Sequence, residues 1–193
     1  MKAPFPLADS SSLLFRLELE KGHSFNGVDL GDRWRELAAI YEEGHPTSNN
    51  ALFYDLHPVF TFLLGGKADL GHAVIEEIKE QAELAGKRLI TNCAAAKEVG
   101  VALANGIKAF VDGEPGTTVD LLVPVRYRFQ ELLGASHAQK DVFDLLLLRA
   151  AINAGRKNLA GQLLEERVAR CGVALEDQQG TFNSGIAAAI MKM

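Results

Sequence analysis

Ala151-Ile-Asn-Ala-Gly-Arg-Lys-Asn-Leu-Ala-Gly-Gln-Leu-Leu164 is the clearest of three copies of one pattern in this sequence. An apolar stretch closes on a glycine, a charged residue and a short polar turn follow, and a second apolar stretch begins. The same pattern surrounds Gly66 and Gly113, so that the three glycines recur at intervals of 47 and 42 residues. Because glycine tolerates the left-handed backbone that ends a helix, each copy predicts a helix, a tight turn and a second helix. Intervals of this size are typical of stacked helical hairpins.

The whole chain is therefore predicted to be all-α, with about nine helices in one helical-repeat domain of 193 residues. Four antiparallel hairpins are expected at about residues 10–44, 55–85, 92–133 and 137–171, followed by a capping helix at 182–193. Such a cap shields the open end of a repeat array from solvent. Loops are expected at residues 23–28 and 176–180, and a short connector at 88–91.

Three prolines bear on where helices begin and bend. If Asp55 is the N-cap of the third helix, Pro58 falls in its first turn, where no intrahelical N–H bond is lost. Residues 51–54 would then be an irregular lead-in. Pro115 suits the first position of the sixth helix, and Pro124 is expected to kink that helix.

The fifth predicted helix, at residues 92–112, is rich in small residues and contains Gly100 and Gly106 in its interior. Each interior glycine costs on the order of 1 kcal/mol relative to alanine. Close approach of a neighbouring helix would offset that cost, so we expect tight packing along this helix.

The composition is that of an ordinary soluble globular protein, with 48% hydrophobic and 23% charged residues. A net charge of −5 argues against binding to nucleic acid, because a phosphate-backbone binder needs a basic face. No segment approaches the roughly 20 uninterrupted apolar residues of a membrane span, and Cys93 and Cys171 form no metal-binding motif. We therefore expect a cytoplasmic protein without a metal or cofactor, and with neither nucleic acid nor a membrane among its partners.

Five segments, in this order, resemble the C-terminal half of the tetratricopeptide repeat protein 38 family, within the tetratricopeptide-repeat superfamily: Ser12–Leu19, Asp32–Trp34, Asp55–His57, Leu121–Tyr127 and Gly134–Phe143. The most specific of them reads Gly134-Ala-Ser-His-Ala-Gln-Lys-Asp141. The resemblance implies a right-handed superhelical stack of antiparallel helix pairs with a concave groove. Family members are longer, so their N-terminal half is expected to have no counterpart in this chain.

Two Asp/His pairs at helix starts are candidate catalytic groups. Ser136 and Gln139 have the spacing of a capping box, which explains them structurally. His137 and Asp141 lie at i and i+4 on one helix face. An aspartate beside a histidine holds its tautomer and favours the imidazolium, as in a general acid or base. The alternative is a surface pair with no catalytic role.

The second pair is Asp55 and His57. A cap explains Asp55 without function, and the dipole of the helix start would lower the pKa of His57 and keep it neutral. A neutral imidazole can act as a base, or it can simply bond to a neighbouring helix. Together, the two pairs would lie along one edge of the groove.

Asp55 and four further residues are candidates for ligand binding. Arg126 and Tyr127 follow the expected Pro124 kink, where a bend can turn side chains into a cleft, and Arg16 and Trp34 could line the same wall. Arginine and tyrosine beside two histidines suit an anionic or carboxylate-bearing ligand.

Three functions remain open from the sequence. The leading hypothesis is a tetratricopeptide-repeat-like module that binds a peptide, protein or small-molecule ligand in its concave groove. The alternative is a small enzyme that performs acid–base catalysis, without a redox cofactor, in a pocket lined by His57, His137, Asp141, Arg126 and Tyr127. The third is self-association as a homodimer, through the apolar helix at residues 186–193 or through an edge that the absent N-terminal half leaves uncovered.

Overall fold

The computed structural model describes residues 4–20, 29–44, 51–87, 91–171 and 182–193. Their regular structure is helical throughout, which confirms the predicted all-α class. These ranges contain nine helices, of which seven are uninterrupted: α1 Pro4–Leu19, α2 Arg33–Gly44, α3 Leu52–Leu64, α4 Ala68–Glu83, α7 His137–Asn153, α8 Lys157–Cys171 and α9 Phe182–Lys192. The helix α5 runs from Thr91–Ala95 through a π-turn at Ala96–Gly100 into Val101–Val111. The helix α6 runs from Pro115–Leu122 through a 3-10 turn at Val123–Val125 into Arg126–Leu132. The loops predicted at 23–28 and 176–180, and most of the connector at 88–91, lie outside the described residues.

The three recurring glycines form three equivalent hairpin turns. Gly66, Gly113 and Gly155 have φ angles of 76°, 80° and 70°, the left-handed conformation that the pattern predicts. In each turn, the N–H of the residue after the glycine donates to the carbonyl five residues earlier, at N···O distances of 2.9, 2.8 and 2.9 Å: Lys67 to Phe62, Glu114 to Ala109 and Arg156 to Ala151. This bond is the Schellman closure, which satisfies a carbonyl that the end of a helix would otherwise leave unpaired.

The predicted start of the third helix is wrong. α3 begins at Leu52, so Asp55 is inside the helix and Pro58 interrupts its interior instead of its first turn. Asn92, at the start of α5, accepts the Leu52 N–H through its Oδ1 atom at 2.6 Å. A side chain 40 residues away in sequence therefore caps this helix, and local sequence reasoning had no means of finding it. Pro58 has no N–H group, so α3 lacks one intrahelical hydrogen bond at this position.

The first helix also begins earlier than expected, at Pro4 instead of about residue 10. Pro4 and Pro6 fall in its first turn, where a missing N–H costs nothing. The other two proline predictions are confirmed, since Pro115 opens α6 and Pro124 lies in the 3-10 turn that interrupts it.

The close packing expected around α5 is present at both interior glycines. A Cβ atom at Gly100 would lie 2.8 Å from a methyl carbon of Leu52, and one at Gly106 would lie 2.8 Å from a methyl carbon of Leu122. Both distances are shorter than real Cβ contacts allow, so the side chains of α3 and α6 occupy the space that larger residues would need. The conformational cost of these glycines is offset by packing.

The first helices of the four hairpins contact one another in a closed ring. α1 packs on α3, α3 on α5 and α5 on α7, and α7 packs back on α1. We call α1, α3, α5 and α7 the inner ring; α2, α4, α6 and α8 pack around it, and α9 packs on α8. Aromatic side chains fill the ring, with Phe15 and Phe60 stacked at 4.4 Å between ring centroids and Phe143 fully buried beside them. The first and the last of these four helices, α1 and α7, are therefore in direct contact.

Polar contacts hold α1, and Glu20 directly after it, against α7. Arg149 forms an ion pair with Glu20, and the two side chains are only 2% and 1% exposed. Arg16 donates from Nη2 to the Ala138 carbonyl at 2.7 Å. Removing one partner of such a buried pair typically costs about 3–5 kcal/mol, because the other charge is left uncompensated. In the closed ring, each of these two charges therefore needs the other as its partner.

The last helix, α9, covers the end of α8 with its apolar face. Ile186 and Ile190 are buried, whereas Met191 is 82% exposed. Within the part of the chain that the structure describes, no helix has both the length and the apolar content that crossing a bilayer requires.

We expect Gly155→Ala to lower the free energy of unfolding by about 1–2 kcal/mol, because alanine is strained in the left-handed conformation. Gly161, six residues further on in α8, is the matched control: its backbone is helical and a Cβ there meets nothing within 4 Å. Gly161→Ala should raise stability by up to about 1 kcal/mol. Urea denaturation of both variants measures the contrast, and an unchanged Gly155→Ala would contradict the proposed role of the turn.

Candidate functional site

A cleft of about 330 Å³ lies between α6, α7 and α8, and we call it the α7 cleft. Its lining residues come from all three helices: Gln130 from α6, His137, Ala138, Asp141 and Asp144 from α7, and Arg167 and Arg170 from α8. The cleft thus combines carboxyl, guanidinium, imidazole and amide groups in one place.

The start of α7 sets the position of its polar residues. Ser136 and Gln139 form the predicted capping box, in which the Gln139 N–H donates to Ser136 Oγ at 3.3 Å and the Ser136 N–H donates to Gln139 Oε1 at 3.1 Å. His137 is consequently the first residue of the helix. Asp141 and Asp144 follow at i+4 and i+7, so all three project from the same face.

Asp141 is bound by arginine and not by histidine. The Nε and Nη2 atoms of Arg167 donate to its two carboxylate oxygens at 2.7 and 2.9 Å, a bidentate geometry. Arg16 Nη2 lies 3.6 Å from the same carboxylate. No hydrogen bond joins His137 to Asp141 in the described ranges, and His137 is exposed at the rim of the cleft. The predicted His137–Asp141 catalytic pair is therefore not formed, because two arginines compete for the carboxylate.

Asp144 is the residue whose chemistry the cleft changes most, and sequence reasoning missed it. Gln130 Nε2 donates to its Oδ2 atom at 2.8 Å, and Arg170 Nη2 lies 3.1 Å from the same atom. Burial raises the pKa of the Asp144 carboxyl to about 6; Arg170 opposes this rise and Asp141 adds to it. Its signal in the sequence is its place at i+7 from His137, on a helix whose other residues are largely apolar.

The cleft is surrounded by more positive than negative groups. Arg167 and Arg170 line it, and Arg16 lies behind Ala138 and Asp141. Burial lowers the pKa of the Arg16 guanidinium, and Asp141 opposes that effect. Three guanidinium groups thus face two carboxyl groups, one of which is protonated below about pH 6. The resulting positive potential favours an anion.

His57 lies in the core, away from the α7 cleft. Its Nδ1–H donates to the Phe53 carbonyl at 2.6 Å, which leaves Nε2 to accept from the Ser12 hydroxyl at 2.8 Å. Complete burial lowers the pKa of His57 to about 4; the Phe53 carbonyl opposes this shift, and the charge of Arg16 adds to it. The imidazole is therefore neutral, as expected, but it serves to join α1 to α3.

Asp55 and Trp34 also lie within the packed part of the molecule. Asp55 is buried in α3. The Trp34 indole donates to Glu18 Oε2 at 3.3 Å and packs edge-on against Phe60, with 6.3 Å between ring centroids. Neither residue lines the α7 cleft.

Arg126 and Tyr127 form a separate cluster beside the cleft. The Arg126 guanidinium lies 4.2 Å from the centre of the Tyr127 ring, and its Nη2 donates to the Tyr127 hydroxyl at 2.7 Å. That hydroxyl donates to Glu166 at 2.9 Å, although the Tyr127 side chain is 57% exposed. Arg126 is one helical turn before Gln130, so the cluster extends the polar surface of the cleft along α6.

The structure therefore brings together Arg16, His137 and Asp141, places Arg126 and Tyr127 next to them, and keeps His57 apart. Within the described residues, no group of three or more histidine, cysteine, aspartate or glutamate side chains could hold a metal ion.

The chain matches no family model, and no solved structure matches it. Its function must therefore be inferred from its own geometry.

Asp144 and His57 should give opposite pH dependences of stability. The pKa of His57 is lower in the folded protein than in the unfolded chain. Its contribution to the free energy of unfolding is therefore lost as the pH falls from about 6.5 to about 4. Asp144 has a raised pKa when folded, so stability is lost as the pH rises from about 4 to about 6. These two pH dependences have opposite signs. Together, the two groups should therefore change the free energy of unfolding of the wild-type protein little between about pH 4 and about pH 6.5.

Asp144→Asn removes the pH dependence of stability that Asp144 causes, so the opposite dependence from His57 should become visible. Between about pH 4 and about pH 7, we expect the variant to gain on the order of 2–3 kcal/mol relative to the wild type. Urea denaturation across this range measures the difference. Asp120→Asn, at an exposed carboxylate on α6, is the control for the loss of one negative charge. A difference between Asp144→Asn and the wild type that does not change with pH would contradict the assignment.

Proposed function

We propose that this chain is a tetratricopeptide-repeat-like helical module that binds a ligand, and that the α7 cleft is its binding site. The observation that carries the proposal is the convergence of Arg16, Arg167 and Arg170 on a cleft of about 330 Å³. These arginines come from two helices, Arg16 from α1 and the other two from α8, and they meet only because both helices pack on α7. A site assembled from distant segments on rigid helices is suited to holding a ligand in one orientation.

We also propose that the four hairpins follow one tight right-handed superhelical turn, as the resemblance to the tetratricopeptide repeat protein 38 family implies. Three equivalent glycine turns support this arrangement, since repeated corners of the same geometry produce a regular stack. The contact of α1 with α7 means that the turn is closed. Ligand binding is accordingly assigned to the outer α7 cleft and not to a concave groove.

The ligand is an anion, either a small-molecule carboxylate or a carboxylate group of a peptide or protein. Guanidinium groups bind carboxylates with geometric specificity. Partial burial of Arg167 and Asp141 reduces screening by solvent, which strengthens the interaction. The start of α7 adds the positive end of a helix dipole next to His137. Neither a nucleic acid nor a membrane is required, and a cytoplasmic location agrees with the sparse use of cysteine.

One observation favours the alternative of an enzyme that performs acid–base catalysis without a redox cofactor. Asp144, with its pKa raised to about 6, lines the same cleft as the exposed His137. A carboxyl group with a raised pKa and an imidazole can share the roles of acid and base. In that case, His137→Ala would abolish turnover while leaving anion binding largely intact, whereas a binding module would show no turnover to lose.

Self-association through α9 stays a prediction. Ile186 and Ile190 are buried, whereas Met191 of this helix and Met193 just after it are exposed and could contact a second copy.

Titration with benzoate tests the binding proposal, with its neutral analogue benzamide as the matched probe. We expect saturable NMR shifts of the backbone amides of Ala138 and Asp141 with benzoate, and much weaker shifts there with benzamide. Affinity should increase as the pH falls from about 7 to about 5, because protonation of Asp144 removes a negative charge from the cleft.

Arg170→Gln should weaken benzoate binding about tenfold, which corresponds to the loss of one charge-assisted hydrogen bond. Arg156→Gln is the control, because Arg156 is also an exposed arginine near an aspartate but does not line the cleft. Equal affinities for benzoate and benzamide at these amides, or equal losses in the two variants, would disprove an anion site here.

A further inference from the structure

A second cavity, of about 280 Å³, lies at the end of the inner ring where its four helices finish. The last residue of each inner helix lines it: Leu19 of α1, Leu64 of α3, Val111 of α5 and Asn153 of α7. We call it the ring-end cavity. It shares no lining residue with the α7 cleft.

The ring-end cavity contains a buried guanidinium group with unused donors. Arg149 lines the cavity, is 2% exposed and donates to Glu20 through Nη2. Among the residues that the structure describes, no hydrogen-bond partner is found for its Nε and Nη1 atoms, nor for the Oε2 atom of Glu20. Buried polar atoms are rarely left unpaired in proteins. The Nε and Nη1 donors of Arg149 therefore predict a hydrogen-bond acceptor inside the cavity. The Oε2 atom of Glu20 likewise predicts a donor near it.

The remaining wall is largely apolar. Phe15, Leu64 and Phe110 contribute aromatic and aliphatic surface to the cavity. An apolar cavity of roughly 150 Å³ is enough to bind benzene, so the ring-end cavity has room for an aromatic ring and a polar group. A bare ion would leave the apolar wall without a partner, and the wall therefore favours an organic compound.

The charges around the cavity argue against an anion. Arg149 and Glu20 neutralise each other, and Glu18 adds a carboxylate to the wall. Four helices also end here, and each C-terminus carries roughly half a negative charge. The acceptor that pairs with Arg149 should therefore be uncharged, as the oxygen of a carbonyl group is.

We propose that the ring-end cavity binds a neutral, partly apolar compound that carries an amide or carbonyl group. Arg149, which lines the cavity, donates to the carbonyl oxygen of the compound. The apolar part of the compound packs against Phe15, Leu64 and Phe110. This site is independent of the α7 cleft and prefers the opposite member of the benzoate and benzamide pair.

Methyl NMR of the full chain with benzamide, benzoate and benzylamine tests the proposal. These three probes have a similar shape and differ in charge. We expect benzamide to shift the methyl signals of Leu19, Leu64 and Val111 saturably, with at least tenfold weaker shifts from benzoate. Equal or stronger shifts from benzoate would overturn the neutral ligand class, and so would preferred binding of benzylamine. The absence of any saturable shift would overturn the site itself.

Two variants distinguish specific binding from a general effect. Leu64→Phe fills the cavity and leaves Arg149 in place, so benzamide binding should be lost. Leu13→Phe, at an exposed position of α1, is the control and should bind benzamide as the wild type does. Persistence of the shifts in Leu64→Phe would overturn the proposal.

The polar part of the site is tested by the double variant Glu20→Met with Arg149→Met. Replacing both members of a buried ion pair by apolar residues of similar size often preserves folding. Benzamide binding should fall at least tenfold in this variant, and unchanged binding would overturn the role of Arg149. If the variant does not fold, a crystal of the wild type soaked in benzamide decides the matter. Amide density at Arg149 would support the proposal, and ordered water alone would overturn it.

Discussion

The contact between α1 and α7 is the constraint on which the rest of this structure depends. It joins the first and fourth hairpins, and so it converts a stack that could have stayed open into a closed ring. Glu20 and Arg149 form its buried ion pair, and Arg16 adds a hydrogen bond to Ala138. Both candidate sites depend on this contact, because Arg16 lies behind the α7 cleft and Arg149 lies in the ring-end cavity. Burying these charges is costly unless each is paired, so the closed ring and the pairing of its charges require each other.

The helix α7 serves both sites with different faces. Its start carries His137, Asp141 and Asp144, which line the outer cleft, while its last turns carry Arg149 toward the ring-end cavity. Between these positions α7 is buried and apolar, and it packs in the middle of the core. The two sites also differ in electrostatics. The outer cleft lies at a helix start with excess arginine, whereas the ring-end cavity lies at four helix ends with a neutralised ion pair.

Much of the helical organisation could be predicted because it depends on short-range backbone chemistry. The left-handed glycines, the capping box at Ser136 and the break at Pro124 each involve residues within five positions of one another. The start of α3 could not be predicted in this way, because Asn92 of α5 supplies its cap. The same limit applies to Asp141. Its spacing from His137 suggested a catalytic pair, but Arg167 of another helix binds the carboxylate more closely than a neighbour on the same helix does.

The amino-acid sequence by itself determined that the chain is all-helical, where three of its hairpins turn and which helix has room for close neighbours, since these properties follow from local backbone preferences and residue size. Only the tertiary structure decided which charges meet. His57 became a buried link between α1 and α3, and Asp144 became the carboxyl with the altered pKa, through burial and partners that no local pattern encodes. Desolvation and ion pairing depend on distances in space, and in this fold the closure of the ring sets those distances.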